Sequence, residues 1–150
     1  MLPSARIEAV IDLTAQVAIS LKEKGPAADV LTRKYFSARR YAGSKDRRRV
    51  TNLLYDIIRR WGYLSEISDG DARRMVLAQL ALTDDDPKVY FTGEKHAPDL
   101  ITADEISFVQ NVEPEKLEHH RLNYPNWLEG DLKDRFGDKF TQEMLALNER

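Results

Sequence analysis

Residues 41–62 read YAGSKDRRRVTNLLYDIIRRWG, and the spacing inside this stretch decides the fold class. Val50, Leu54, Ile57 and Trp61 recur every three or four residues, the period of one buried helical face, with Leu53 and Ile58 flanking them. At about 100° per residue, the opposite side of that helix carries Lys45, Arg48, Asn52 and Arg59, with Arg49, Asp56 and Arg60 beside them. Arg47 and Asp46 fall at the two margins of the apolar face, where a structural role is expected, Asp46 serving the first turn. Ser44 is the expected N-cap and Gly62 the expected C-cap.

Outward from this helix the chain repeats the same grammar. Ile7, Val10, Ile11, Thr14, Val17, Ala18 and Leu21 form an earlier helical stripe, closed by Gly25 and Pro26. A second helix carries Ala27, Val30, Leu31 and Tyr35 to about Arg40, and Gly43 breaks it. A fourth is expected from near Asp69, burying Met75, Val76, Leu80 and Leu82. The stretch TDDDPKVYFTGEKHAPDL, with Pro87, Gly93 and Pro98, reads mainly as an ordered loop. TADE at 102–105 is a capping box opening a helix with Ile106 and Val109. Trp127, Leu128, Leu132 and Phe136 form a further stripe, Gly137 breaks it, and Phe140, Met144 and Leu147 begin the last. That last helix is expected to continue past Arg150. No useful alternating pattern and no internal repeat occurs, so the fold class is all-α.

Charge is distributed unevenly along this scaffold. The 150 residues carry a formal net charge of −2. Between Arg33 and Arg60 ten basic residues face two acidic ones, a local +8 that leaves −10 for the other 122 residues. Such one-sided charge suits a polyanion, nucleic acid above all. The candidate RNA-binding residues are Lys45, Arg48, Arg49, Arg59 and Arg60, extended across the preceding turn by Arg39 and Arg40. Tyr35, Tyr41 and Tyr55 lie close enough in sequence to stack on unpaired bases, although for each one taken separately packing is the first expectation. A purely solvated face, with Asp56 pairing to Arg59 or Arg60, is the alternative reading.

The composition, 42% hydrophobic and 32% charged, fits one globular domain with a real core. The absence of cysteine excludes disulfides, thiolate metal sites and a thiol nucleophile within these residues. No apolar run approaches the roughly 20 residues of a membrane span. Glu8 and Asp12 among the first apolar residues argue against a secretory signal, so the expected compartment is the cytosol. His119 and His120 diverge by about 100° on a helix, and Glu115 with His119 supplies only two ligands, so no metal site is expected. Asp84, Asp85 and Asp86 lack the spacing of a calcium loop. The glycines are scattered, without a phosphate-binding loop. No catalytic residue is assigned.

The segment GSKDRRRVTNLLYDIIRR resembles the Asp-Arg … Leu-x-Tyr-x-x-hydrophobic-Arg helix of the N-terminal domain of the Sun (Fmu) proteins. These are the bacterial rRNA small-subunit methyltransferase B family, which make 5-methylcytosine in 16S rRNA. YFTGEKHAPDLITADE is similar to that family's F-x-G-x-x-x-A-P-x-x-L-T-x-x-E stretch in its alphaproteobacterial branch. YPNWLEGDLKDRFGDKFTQEMLALNER is similar to its P-x-W-L-x-x-x-L-x-x-x-F-G … E-x-x-A-L-x-x-R run. The resemblance covers about residues 3–150. It implies a NusB-like helical RNA-binding domain over residues 1–112 and a helical linker over 113–150, leading to a methyltransferase domain these residues do not contain. It also implies 16S rRNA and that catalytic domain as partners, and S-adenosylmethionine as cofactor of the full-length protein, with none in these residues. The family's two catalytic cysteines have no counterpart here. A standalone NusB-like antitermination or ribosome-assembly factor, and a helical protein-interaction module, remain open alternatives.

Overall fold

The structure, a computed structural model, describes residues 1–149, and every regular element among them is helical. The helices are α1 (Pro3–Glu23), α2 (Ala28–Ser37), α3 (Ser44–Arg59), α4 (Trp61–Ile67), α5 (Ala72–Leu82), α6 (Ala103–Gln110), α7 (Glu118–Arg121), α8 (Glu129–Phe136) and α9 (Phe140–Asn148). Short 3-10 turns cover Pro87–Val89, Asn126–Leu128 and Gly137–Lys139. The all-α class follows directly. The expected continuation of the last helix past Arg150 lies outside the described residues; α9 itself ends at Asn148.

The core is organised around α5. Met75, Val76, Leu77, Ala78, Gln79 and Leu80 are all buried, so this helix is covered on every side, as an almost uniformly apolar helix must be. α1, α3, α4 and α6 pack against it. α1 contributes Ile7, Val10, Leu13 and Val17, all buried, while the α3 residues Val50, Leu54 and Ile57 are 1% exposed or less. Phe91, from the loop after α5, completes the same cluster. A separate small cluster holds Leu122, Tyr124, Phe140 and Met144, with Leu132 and Phe136 packed against it.

Several helix ends differ from expectation, each for a local reason. α1 ends at Glu23 because Lys24, not Gly25, takes the left-handed turn. Gly25 is required by crowding instead: a Cβ there would lie 2.7 Å from the Ser20 hydroxyl, which donates to the Pro26 carbonyl at 2.6 Å. α2 stops at Ser37 rather than near Arg40, where the Ser37 hydroxyl returns to the Lys34 carbonyl. Gly43 is the N-cap of α3 and Ser44 its first helical residue; the Asp46 carboxylate accepts from the Gly43 N–H. Gly62 caps nothing, because the chain bends at Arg60 and re-enters helix in α4. Leu21, Trp127 and Leu147 were expected inside and are 60%, 78% and 69% exposed. Trp127 sits in a 3-10 turn ahead of α8, and this takes it off the stripe that Leu132 and Phe136 follow.

Long-range polar contacts lock the elements together. Asp46 binds the Met1 amino group at 3.0 Å and Arg6 Nε at 2.8 Å, tying the start of α1 to the first turn of α3. These hydrogen bonds hold the Asp46 carboxyl below its ordinary pKa. Asp71 caps α5, accepting from the Arg74 N–H. The Thr102 capping box is present in full: its hydroxyl accepts from the Glu105 N–H and Glu105 accepts from the Thr102 N–H. Arg73 closes a fork on Glu105 at 2.7 and 3.0 Å, reaches the Asp99 and Leu100 carbonyls, and covers the Phe91 ring. One arginine thereby fixes the whole loop between α5 and α6.

Arg73's hydrogen bonds, opposed by burial and helped by the Thr102 N–H, keep the Glu105 carboxyl below the usual glutamate pKa. A depressed carboxyl pKa stabilises the fold fully above the unfolded value and loses that contribution as pH falls through the folded one. Arg73→Ala is therefore expected to cost about 2–4 kcal/mol at neutral pH in urea unfolding. It is also expected to flatten the acid limb of the stability–pH curve. An unchanged acid limb would contradict this account of the pair.

Candidate nucleic-acid interface

The rotation of α3 is set by its apolar residues. With Val50, Leu54 and Ile57 sealed against α1 and α5, the other side of the helix must face water. Lys45, Arg48 and Arg49 are exposed there, and Arg40 is exposed in the turn just before it. Among the described residues these four side chains make no hydrogen bond or ion pair, so their charge is uncompensated. At the margin, Arg47 Nε donates to the Ala42 carbonyl at 2.9 Å and its guanidinium lies 5.7 Å from the Phe36 ring centre. Arg47 and Asp46 thus hold the entry to the helix in place.

The remaining three candidates are placed differently. Arg39 is half-buried, stacked 3.7 Å over the Tyr35 ring with a hydrogen bond to the Tyr35 carbonyl. Arg59 is 30% exposed and faces Asp56 at 3.5 Å. Arg60 turns inward: Nε meets Glu115 at 3.0 Å and Nη1 donates to the buried Gln79 Oε1 at 3.3 Å. The cause is the bend. Arg60 leaves helical geometry, its N–H bonding to the Ile57 carbonyl, so a helical wheel continued through it assigns the wrong direction. Arg59 and Arg60 consequently line a polar cleft with Gln79, Glu115 and Arg121, apart from the open face. Neither Glu115 nor Arg121 carries any sequence signal that joins it to α3.

The tyrosines separate as well. Tyr35 is buried and donates to Asp12 at 3.1 Å; burial first, then the Asp12 charge, raise its phenol pKa. It has no face left for a base. Tyr55 is half-buried in a notch of about 230 Å³ between α2 and α3, beside Phe36 and Arg47. Tyr41 is 71% exposed at the edge of the basic face.

The two histidines lie closer than divergent helical positions suggest, with ring centres 4.2 Å apart. His120 is buried and its Nε2 lies 2.9 Å from the Glu66 carboxylate. Glu115 precedes α7, so its helical spacing to His119 does not apply. Among the described residues no group of three or more His, Asp or Glu is arranged to hold a metal ion. No described helix is long and apolar enough to cross a membrane. No family model, curated protein or solved structure matches the chain.

Arg39→Ala is expected to lower stability by about 1 kcal/mol through the lost stacking on Tyr35, while leaving affinity for a polyanion nearly unchanged. Arg48→Ala is expected to do the reverse. Thermal unfolding and polyanion binding measured on both variants check the pair; loss of binding in Arg39→Ala at unchanged stability would contradict the assignment.

Proposed function

We propose that these residues are the RNA-binding N-terminal part of an S-adenosylmethionine-dependent 16S rRNA (cytosine-5) methyltransferase, acting in the cytoplasm. The observation that carries the reading is the set of uncompensated cations Lys45, Arg48 and Arg49 on one side of a helix whose other side is core, with Arg40 in the turn just before it. Phosphate contacts of this kind position an RNA without reading its sequence. The exposed Tyr41 ring at the edge of the row offers a surface on which an unpaired base can stack. The ordered motifs in 43–60, 90–105 and 124–150 support the choice of family.

The role of this part is positioning. On this reading no S-adenosylmethionine site is assigned to these residues, whose described regular elements are helical and whose glycines stand singly. The same reading gives these side chains no catalytic step. The cofactor and the chemistry fall to a catalytic domain, which this part would orient on the rRNA.

Four phosphate contacts predict that log K for structured rRNA falls with log salt at a slope of about −3, from roughly 0.7–0.9 per contact. Arg48→Glu combined with Arg49→Glu is expected to flatten that slope by about half and to weaken binding more than tenfold at low salt. Heparin should compete poorly against 16S fragments. Affinity and slope unchanged in the double variant would overturn the assignment of the face, and equal preference for heparin would overturn rRNA as its target.

A further inference from the structure

We propose that the cleft between the α3–α4 bend, α5 and the α7 region is a binding site for a phosphate group. It is distinct from the open face of α3 and does not depend on the RNA-binding reading. The cleft is about 610 Å³, large enough for a nucleotide, and is walled by segments distant in sequence. Three guanidinium groups line it: Arg59 from the end of α3, Arg60 from the bend and Arg121 from the end of α7.

Two carboxylates in the cleft offset two of these three charges without occupying every guanidinium N–H. Glu115 is held against Arg60 Nε, with Gln79 on Arg60 Nη1, so that guanidinium is fixed in orientation while its other N–H groups remain to donate. Asp56 lies beside Arg59 at 3.5 Å. That contact is an ion pair between Arg59 Nη1 and Asp56 Oδ1; beyond it the buried Nη1 donates no hydrogen bond among the described residues, and buried N–H groups are normally satisfied. Arg121 is exposed at the rim, and its side chain makes no ion pair or hydrogen bond among the described residues.

The charge balance then points to an anion. Three arginines face two carboxylates, a surplus of one positive charge in a concave, partly desolvated site, where guanidinium–oxyanion bonds are strong. Donors arriving from separate walls suit a tetrahedral oxyanion, which accepts on several oxygens, better than a planar carboxylate bound by one fork. A phosphate group meets this requirement either on a free nucleotide or at the end of an RNA strand.

The experiment is a titration of the folded chain with inorganic phosphate, then with adenosine monophosphate and a short RNA bearing a 5′-phosphate or a 5′-hydroxyl. It is followed by the NMR signals of the arginine Nε–H groups. Saturable shifts at Arg59 and Arg60 are expected, lost in Arg121→Ala and in Arg59→Ala but retained in Lys45→Ala. Arg121 is exposed, so its variant keeps the fold, which circular dichroism verifies. Tighter binding of the nucleotide, or of the 5′-phosphorylated RNA over its 5′-hydroxyl form, identifies the source of the phosphate. Absence of a saturable shift at millimolar phosphate, or a shift that survives both arginine variants, overturns the site. RNA binding by the α3 face can persist or fail independently, so the two readings are separable.

Discussion

The burial of Val50, Leu54 and Ile57 is the constraint from which the rest of the molecule follows. These three side chains lock α3 against α1 and α5 and leave it one permitted rotation. A helix turned by even one residue would bury an arginine and expose a core isoleucine, at a cost of several kcal/mol. The direction of Lys45, Arg48 and Arg49 is therefore a by-product of core packing. Stability and a basic outer surface are specified by the same sixteen residues.

A second consequence arises where α3 ends. Had the helix continued, Arg60 would have joined the outer row. The bend instead sends it to Gln79 on the central helix and to Glu115 beyond α6, and the chain after residue 112 is drawn against the bundle at that point. Tyr63, whose hydroxyl bonds to the Glu113 carbonyl, and His120 with Glu66 reinforce the same seam. The basic run thus splits into an open surface and a walled cleft, two environments with different electrostatics. In the open face, salt screens each charge; in the cleft, Arg59 and Arg60 are partly buried and stand beside carboxylates.

The sequence made legible those features that local period and local chemistry control. The register of α3, the positions Ile7, Val10 and Val17 of α1 and Met75, Val76 and Leu80 of α5, and the Thr102–Glu105 capping box were readable, because each depends on residues within about a turn of one another. Buried Leu13 and Leu77 were missed, and Leu21 is exposed. Helix ends were less so: Gly43 took the capping position from Ser44, and α4 was hidden because Gly62 reads as a stop. The cleft was not legible at all. Gln79 and Glu115 are brought to Arg60 by tertiary packing across 19 and 55 residues, and no spacing rule reaches so far. Trp127 shows the opposite error, an apolar residue at helical spacing that a 3-10 turn displaces into solvent.

The central claim is that RNA lies along the outer side of α3. Photo-crosslinking the chain to a thiouridine-substituted 16S rRNA fragment, followed by mass spectrometry of the peptides, tests it most directly. Crosslinks concentrated between residues 40 and 55, with Tyr41 prominent among them, are the predicted result. Crosslinks confined to other helices, with none in that segment, would contradict it.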